Sequence, residues 1–315
     1  VFVEAPARLH MGLIDLRGDL GRRFGGIGAA LEAPSLLLEA RRAPSLQAEG
    51  EAAERLLPSA RRFLERHGIA AGAAFRVHRA IPAHAGLGSG TQLALAGARA
   101  LAALFDLPAD APALAEGTGR ARRSSIGTWA FEQGGFLLEG GRRESGAGPA
   151  PLLLRRAMPA EWRCVLAVPD VPPGLSGPSE EEAFRRLPPP PAETVGRVAH
   201  LILMAVLPAL VERDLPSFGR GITEVQRLVG EMFRPVQRER FAHALVAELV
   251  EDALAGGAAG AGQSSWGPAV YALVEGRDAA QALARLLERR LAGRGSVIET
   301  GFDNRGARCW AAGDA

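Results

Sequence analysis

Apolar and polar positions along this chain predict an interleaved set of strands and helices. Phe75, Val77 and Ile81 are separated by even numbers, the spacing of a half-buried strand. The next apolar run, Leu93 to Phe105, is rich in helix formers and stops at Asp106-Leu-Pro. Val1-Phe-Val-Glu-Ala-Pro-Ala opens as a strand and passes into a polar, glycine-rich turn that holds Arg8, His10 and Asp15. Residues 51 to 67 alternate Arg and Glu with apolar positions, a surface helix ended by Gly68. Residues 115 to 139 read as helix, loop, helix and a strand from Gly135 to Glu139. A strand is expected from Trp162 to Val168, then a helix with Ser179 as its N-cap and acids in its first turn. Helical spacing recurs near 194–212, 216–230 and 238–254, where Met204 and Met232 suit core packing. Pro268 fits the first turn of another helix, and the end reads as a helix from Asp278, a strand at 296–300, a turn at Asp303 and a last strand. Glu144-Ser-Gly-Ala-Gly-Pro-Ala-Pro serves as linker or hairpin loop, and 169–173 and 188–191 are Pro-rich loops.

At 315 residues the chain is long enough for two domains. A hydrophobic content of 47% with 23% charged residues describes a soluble globular protein. All 37 basic residues are arginine, so no lysine is available as Schiff base or phosphate charge, and anion recognition falls to the arginine fork. A net charge of +2 argues against a nucleic-acid partner. Cys164 and Cys309 lie far apart in strand-like segments and read as reduced, buried thiols of a cytoplasmic protein. The most apolar run, Val198 to Val211, is too short to span a bilayer, and no signal-peptide pattern opens the chain.

The densest candidate chemistry lies between the strand near residue 75 and the helix from Leu93. Pro82-Ala-His-Ala-Gly-Leu-Gly-Ser-Gly-Thr-Gln places Gly86, Gly88, Ser89, Gly90, Thr91 and Gln92 at a strand-to-helix turn. Glycines let backbone N–H groups converge, and a helix N-terminus adds unpaired amides and a positive dipole end, which together suit a diphosphate or triphosphate. By itself such a string also reads as an ordinary capped turn. The whole string resembles the second motif of the GHMP small-molecule kinases, Pro-x-x-x-Gly-Leu-Gly-Ser-Ser, with Gly90 in place of the second Ser. Ala5-Pro-Ala-Arg resembles their first motif, with Arg8 where mevalonate-type kinases carry a catalytic lysine. Their third stretch overlays Glu116, Ser124 and the Gly134-Gly135 pair, but the catalytic Asp falls on Gly127.

The resemblance is narrower still. Arg8-Leu-His-Met-Gly-Leu-Ile-Asp-Leu, then Gly25-Gly-Ile-Gly, Gly174-Leu-Ser-Gly and Gln263-Ser-Ser-Trp-Gly-Pro are similar to the β-ribofuranosylaminobenzene 5′-phosphate synthases of methanopterin biosynthesis. Those proteins share the GHMP fold and perform a reaction that is not a kinase reaction. The resemblance implies an α+β, two-domain GHMP-kinase-like fold. Residues 1–150 would form an N-terminal α/β domain carrying the phosphate loop, and 151–315 a C-terminal ferredoxin-like αβ domain.

It also implies Arg8, His10 and Asp15 as catalytic candidates, although His10 taken singly is more often a packed or capping residue than a catalyst. The candidates for substrate are Arg22, Arg23, Gly25, Gly26, the 86–92 loop, Ser124, Thr128, Gln263, Ser264, Ser265 and Trp266, which can flank an aromatic ring or fill core. Arg122 and Arg123 are candidates for an anion clamp, and Ser176 and Glu180 for the site or for capping. Mg²⁺ is expected on Glu116 and Ser89, with a solvated helix carboxylate as the plainer reading of Glu116. The implied reaction condenses 5-phosphoribosyl 1-diphosphate with 4-aminobenzoate or 4-hydroxybenzoate and releases CO₂ and diphosphate. The implied partners are small molecules and a second copy in a homodimer. An ATP-dependent kinase on the same fold is the alternative, and Gly127 and the missing lysine speak against it.

Overall fold

The computed structural model describes residues 1–311 and 313, apart from 122, 144, 145, 147, 173, 175, 176 and 238. Arg122, Ser176 and part of the 144–151 connection therefore lie outside the described residues.

The first layer is a seven-stranded sheet. Its spine is a long antiparallel pair, β1 (Phe2–Asp15) and β2 (Phe24–Ala43). β1 is almost wholly buried because helices cover both of its faces, so the polar-apolar alternation of a one-sided strand is missing. This corrects the expectation of a turn at Arg8, His10 and Asp15, all of which lie in β1. β3 (Gln47–Gly50) and β4 (Gly72–Arg79) extend the sheet on one side of β2. Between them α1 (Leu57–Arg66) buries Phe63 and Leu64 and turns its Arg and Glu outward. α2 (Ser89–Phe105) packs an Ala, Leu and Gly surface on β1 and β2, then ends at Asp106 in the left-handed conformation. α3 (Ala111–Thr118) and α4 (Ile126–Gln133) complete that helical layer. β5 (Phe136–Glu139) returns to β2, and β6 (Leu152–Arg156) pairs with β5.

The second layer is a four-stranded antiparallel sheet. It contains β7 (Trp162–Pro169), β8 (Gly260–Gln263), β9 (Val270–Glu275) and β10 (Gly295–Thr300), in the order β10-β7-β9-β8. Before the second strand the chain passes through α5 (Pro178–Arg186), α6 (Ala192–Leu201), a π-helical turn at Ile202–Val206, α7 (Leu207–Glu212), α8 (Leu215–Gln237) and α9 (Ala244–Ala255). α10 (Arg277–Leu291) connects the last two strands. That 4-1-3-2 order, with helical crossovers after the first and third strands, is the expected ferredoxin-like arrangement. α8 presents Phe218, Ile222, Val225, Val229 and Phe233 at helical spacing and packs on both β1 and β8, so one apolar core runs through both sheets.

Several expectations change. The boundary at residue 150 cuts the first sheet, because β6 lies beyond it and β11 (Arg308–Trp310) comes back to pair with β1. Pro268 precedes strand β9 rather than a helix, and α5 is capped at Gly177 rather than Ser179. Cys164 is buried but Cys309 is exposed. The stretch Ala192–Glu212 is, by length and composition alone, long and apolar enough to cross a membrane.

Candidate active site

The glycine-rich loop turns from β4 into α2 through three residues of positive φ, His84 at 57°, Gly86 at 86° and Gly88 at 81°. It is held from two directions. Arg8 donates its backbone N–H to Leu87 O at 3.1 Å and a guanidinium N–H to Gly86 O. From the second layer Ser264 Oγ donates to Gly86 O at 2.8 Å while accepting the His10 N–H at 3.1 Å, and the Ala269 N–H donates to Ala85 O at 3.0 Å. The segment after β8 therefore acts as a buttress that fixes the loop against β1.

The loop forms one end of a cavity of about 570 Å³. Ser89, Gly90 and Thr91 line that end beside Arg8, Arg55 and Arg120. A Cβ on Gly90 would lie 3.3 Å from Arg55 and 3.6 Å from Arg120, so both guanidinium groups reach the start of α2. The other end is aromatic. Trp266 packs against Phe184 and Phe233 with ring centroids 5.4 and 4.9 Å apart, and Phe24 meets Phe184 edge-on at 5.5 Å. These four rings come from β2, α5, α8 and the segment after β8, so both layers build the wall. Arg123 stands over Phe184 at 5.3 Å and pairs with Glu180, whose carboxyl is pushed up by burial and drawn back by Arg123.

Beneath the cavity lies a buried polar floor. His10 is neutral at ordinary pH, because burial, and then the Arg8 charge, lowers it to about 3. Its Nε2 is 3.1 Å from Ser124 Oγ. Desolvation lowers Arg8 to about 10, which leaves it charged at neutral pH. Glu139 is inaccessible to solvent, accepts the Ser125 N–H at 2.6 Å, and is raised to about 7 by burial. Its Oε1 and the Arg8 Nε have no hydrogen-bond partner.

The sequence candidates divide sharply. Arg8, His10, Gly86, Gly88, Ser89, Gly90, Thr91, Ser124, Gln263, Ser265 and Trp266 all line the cavity. Ser264 supports it from within. Gln92 and Thr128 are buried behind α2 and α4, with Gln92 donating to Gly127 O at 2.8 Å. Gly26 lies under the His10 ring, where a Cβ would come within 3.4 Å, and Gly25 packs on Gly141. Asp15 is engaged elsewhere, accepting the Arg17 and Gly18 N–H groups at 2.7 and 3.0 Å. Arg22 donates to Gly141 O at 3.0 Å and Arg23 to Leu16 O at 2.9 Å, so both brace the β1–β2 turn rather than clamp an anion in the cavity. Glu116 is a correction. It pairs with Arg66 at 2.9 Å on the half-exposed side of α3, away from the cavity lining, because its helix turns that face toward α1. Sequence reasoning missed Arg55, Arg120, Phe24, Phe184, Phe233 and Glu139. The lysine-free composition was a signal for the arginines; distant aromatic positions left none.

The family model described as "GHMP kinases N terminal domain" matches residues 54–129, and that described as "GHMP kinases C terminal" matches 206–292. The chain is 36% identical over 330 residues to the beta-ribofuranosylphenol 5′-phosphate synthase of Methanothermobacter thermautotrophicus, covering 98% of each. It is 31% identical to the protein of the same name from Methanocaldococcus jannaschii, covering 98% of this chain and 100% of that one. Among solved structures it resembles L. major mevalonate kinase in complex with R-mevalonate, with TM-score 0.71, 15% identity and 96% of each chain covered. That likeness bears on the fold alone.

Proposed function

The chain belongs to the β-ribofuranosylphenol 5′-phosphate synthase family, built on the GHMP-kinase fold, and we propose that it condenses 5-phosphoribosyl 1-diphosphate with a 4-substituted benzoate. The carbon–carbon bond forms at ribose C1, and diphosphate and CO₂ leave. The protein is thus an enzyme of pentosyltransferase type, working in methanopterin biosynthesis.

One observation carries this reading: a single cavity joins a cationic, amide-lined end to an aromatic wall. Its volume lies within the usual range for small-molecule sites of roughly 300–1,000 Å³. The diphosphate takes the amides at the start of α2 and the guanidinium groups of Arg8, Arg55 and Arg120, which stabilise the charge that develops as the C1–oxygen bond breaks. The benzoate ring lies along Phe24, Phe184, Phe233 and Trp266. The ring carbon that bears the carboxylate attacks C1, and loss of CO₂ restores aromaticity. No ring proton has to be removed at that carbon. Phosphoryl transfer has less support, because Gly127 stands where those kinases carry the catalytic Asp, and a Cβ there would come within 3.1 Å of the Thr91 methyl.

The residues do not fit a resident metal of the expected kind. Glu116 pairs with Arg66 and does not line the cavity, and the described residues contain no group of three His, Cys, Asp or Glu side chains able to hold one. No step above depends on a metal. For the assembly we propose a homodimer through Ala192–Glu212, supported by Leu203, Met204 and Val211, each more than half exposed. Met204→Glu should then give a monomer in sedimentation; an unchanged sedimentation coefficient removes this interface.

The reaction is tested with carboxyl-labelled 4-hydroxybenzoate and 4-aminobenzoate. Label should leave as CO₂ only when 5-phosphoribosyl 1-diphosphate is present. ATP-dependent phosphorylation of an alcohol without CO₂ release would replace this reading with the kinase one.

A further inference from the structure

Glu180, Glu181 and Glu182 lie in the opening turn of α5, where acids suit the positive end of a helix. That role is open to any of the three and needs no burial. Glu180 nevertheless keeps only 20% of its side chain accessible, against 54% for Glu181 and 48% for Glu182. It lies four residues before Phe184, so the two share one face of the helix, and both line the cavity. Arg123 donates to Glu180 Oε2 and stands over the Phe184 ring, so the carboxylate sits beside the aromatic wall. Arg123 also adjoins Ser124, whose Oγ is 3.1 Å from Nε2 of His10, two residues along β1 from Arg8. Glu180 therefore lies where the cationic end of the cavity meets the aromatic one. A partly buried ion pair gains little by itself, because desolvation offsets the attraction, so helix stability does not account for this placement.

We propose that Glu180 holds the ribose of 5-phosphoribosyl 1-diphosphate, accepting a hydrogen bond from its 2-hydroxyl and placing a negative charge beside C1. The inference rests on the reaction proposed above. With the diphosphate at the start of α2 and the benzoate ring along the aromatic wall, C1 lies between them, at the level of Glu180. Arg8, Arg55, Arg120 and Arg123 all line the cavity. Such a set draws in the diphosphate but opposes the positive character that C1 gains as its bond to oxygen breaks. A carboxylate beside C1 offsets that opposition. Among the described residues the carboxylates that line the cavity are Glu180 and Glu181, and Glu180 is the more buried of the two.

The step balances without a further reactant. The electron pair of the C1–oxygen bond leaves with diphosphate, a ring pair forms the bond to C1, and CO₂ leaves its own pair in the ring. Glu180 takes no proton and forms no bond. As C1 becomes cationic the neighbouring hydroxyl becomes more acidic, so its hydrogen bond to the carboxylate is stronger in the transition state than in the bound substrate. The effect therefore falls on kcat more than on KM. Glu180 touches the substrate and is a catalytic residue in this sense, whereas Arg123 acts through it and is a positioning residue. Dependence on the 2-hydroxyl gives a readout that a purely structural role for the Arg123–Glu180 pair would not move.

The test compares wild type, Glu180→Gln and Glu180→Asp with 5-phosphoribosyl 1-diphosphate and with its 2-deoxy analogue, following C-riboside formation. On the hydroxylated substrate Glu180→Gln should lower kcat by about 10²-fold with less change in KM, and Glu180→Asp, which keeps the charge, by about tenfold. On the 2-deoxy analogue Glu180→Gln should cost only about tenfold, because the hydrogen bond is already absent and only the charge beside C1 is lost. A partly folded variant lowers both rates alike and leaves their ratio unchanged, and Glu180→Asp repeats the comparison should Glu180→Gln not fold. Equal losses on the two substrates, or a Glu180→Gln enzyme within about threefold of wild type on the hydroxylated one, overturn the assignment while leaving the reaction intact. Should wild type not turn the analogue over, Glu180→Gln must lose the hydroxylated substrate as completely, and a variant that retains it overturns the assignment. A wild-type protein that forms no C-riboside from 5-phosphoribosyl 1-diphosphate overturns both.

Discussion

Glu139 carries a stability consequence whose sign follows from its burial. Its carboxyl is raised from 4.5 to about 7, so the folded chain holds a proton that the unfolded chain releases. The folded state is favoured below 4.5, and that advantage is lost as pH rises through 7, at a cost of about 3 kcal/mol. Glu139→Gln stays neutral and escapes the cost, so its melting temperature should exceed wild type by a few degrees at pH 8 and by little at pH 4.5. Calorimetry at the two pH values reads this directly; a larger gain at the acid end would mean that the carboxylate is not desolvated. His10 has the opposite sign. It is lowered to about 3 in the folded state, so acid costs stability as pH falls through 6.5, where the unfolded imidazole takes a proton that the folded one refuses. At Glu116 the expectation is of near-silence, because its partner is a half-exposed Arg66. Glu116→Gln should keep turnover within about twofold, and a loss of 10²-fold would return a charge-dependent role to it. Position in a matched spacing suggested this carboxylate, but only the orientation of α3 decides where it points, and orientation does not appear in spacing.

At the scale of elements, the loop-to-helix turn was legible because its constraints are local. Two glycines at positive φ and a helix N-terminus suffice to predict an anion site. The three glycines are nevertheless not equivalent. A Cβ on Gly86 would lie 2.1 Å from the Ser264 carbonyl oxygen, on top of an unfavourable φ. Gly86→Ala should separate the loop from its buttress, abolish binding of 5-phosphoribosyl 1-diphosphate in calorimetry, and cost about 1–3 kcal/mol of stability. Gly90 has no positive φ, and a Cβ there meets only the far ends of the Arg55 and Arg120 side chains, at 3.3 and 3.6 Å. Gly90→Ser, which restores the residue common in the kinases, should bind within a few-fold of wild type. Equal damage at the two sites would mean that backbone shape does not govern this loop. β1 was the least legible element. Covered on both faces, it shows no alternation, and its polar Arg8 and His10 imitate a turn while serving the floor of the site. The aromatic wall was hidden for a different reason: its four rings are scattered from residue 24 to 266 and meet only when α5 and α8 close over β2.

For the whole molecule, the two layers are joined too closely for a division at residue 150 to yield independent units. The first sheet draws β6 and β11 from beyond that point, and its central strand β1 is covered by α8, whose Gln226 donates to Met11 O at 2.6 Å. Residue 150 is itself an anchor. Its N–H donates to Ser125 Oγ at 2.7 Å and its carbonyl accepts the Trp129 indole N–H at 2.8 Å, beside the Ser125 N–H that holds Glu139. A fragment of residues 1–150 would leave β5 as an open edge, expose the α8-facing side of β1 and free the segment that steadies the floor of the site. The open edge and the exposed apolar side favour association over folding. The isolated fragment should therefore show no cooperative thermal transition and no fixed near-ultraviolet signal, and it should aggregate. Mixing it with residues 151–315 during refolding should recover a cooperative transition, because every missing strand and helix is then supplied. A fragment 1–150 that melts cooperatively by itself would show that the first sheet does not need its distant strands, and the cavity would then have to be viewed as a contact between two finished domains.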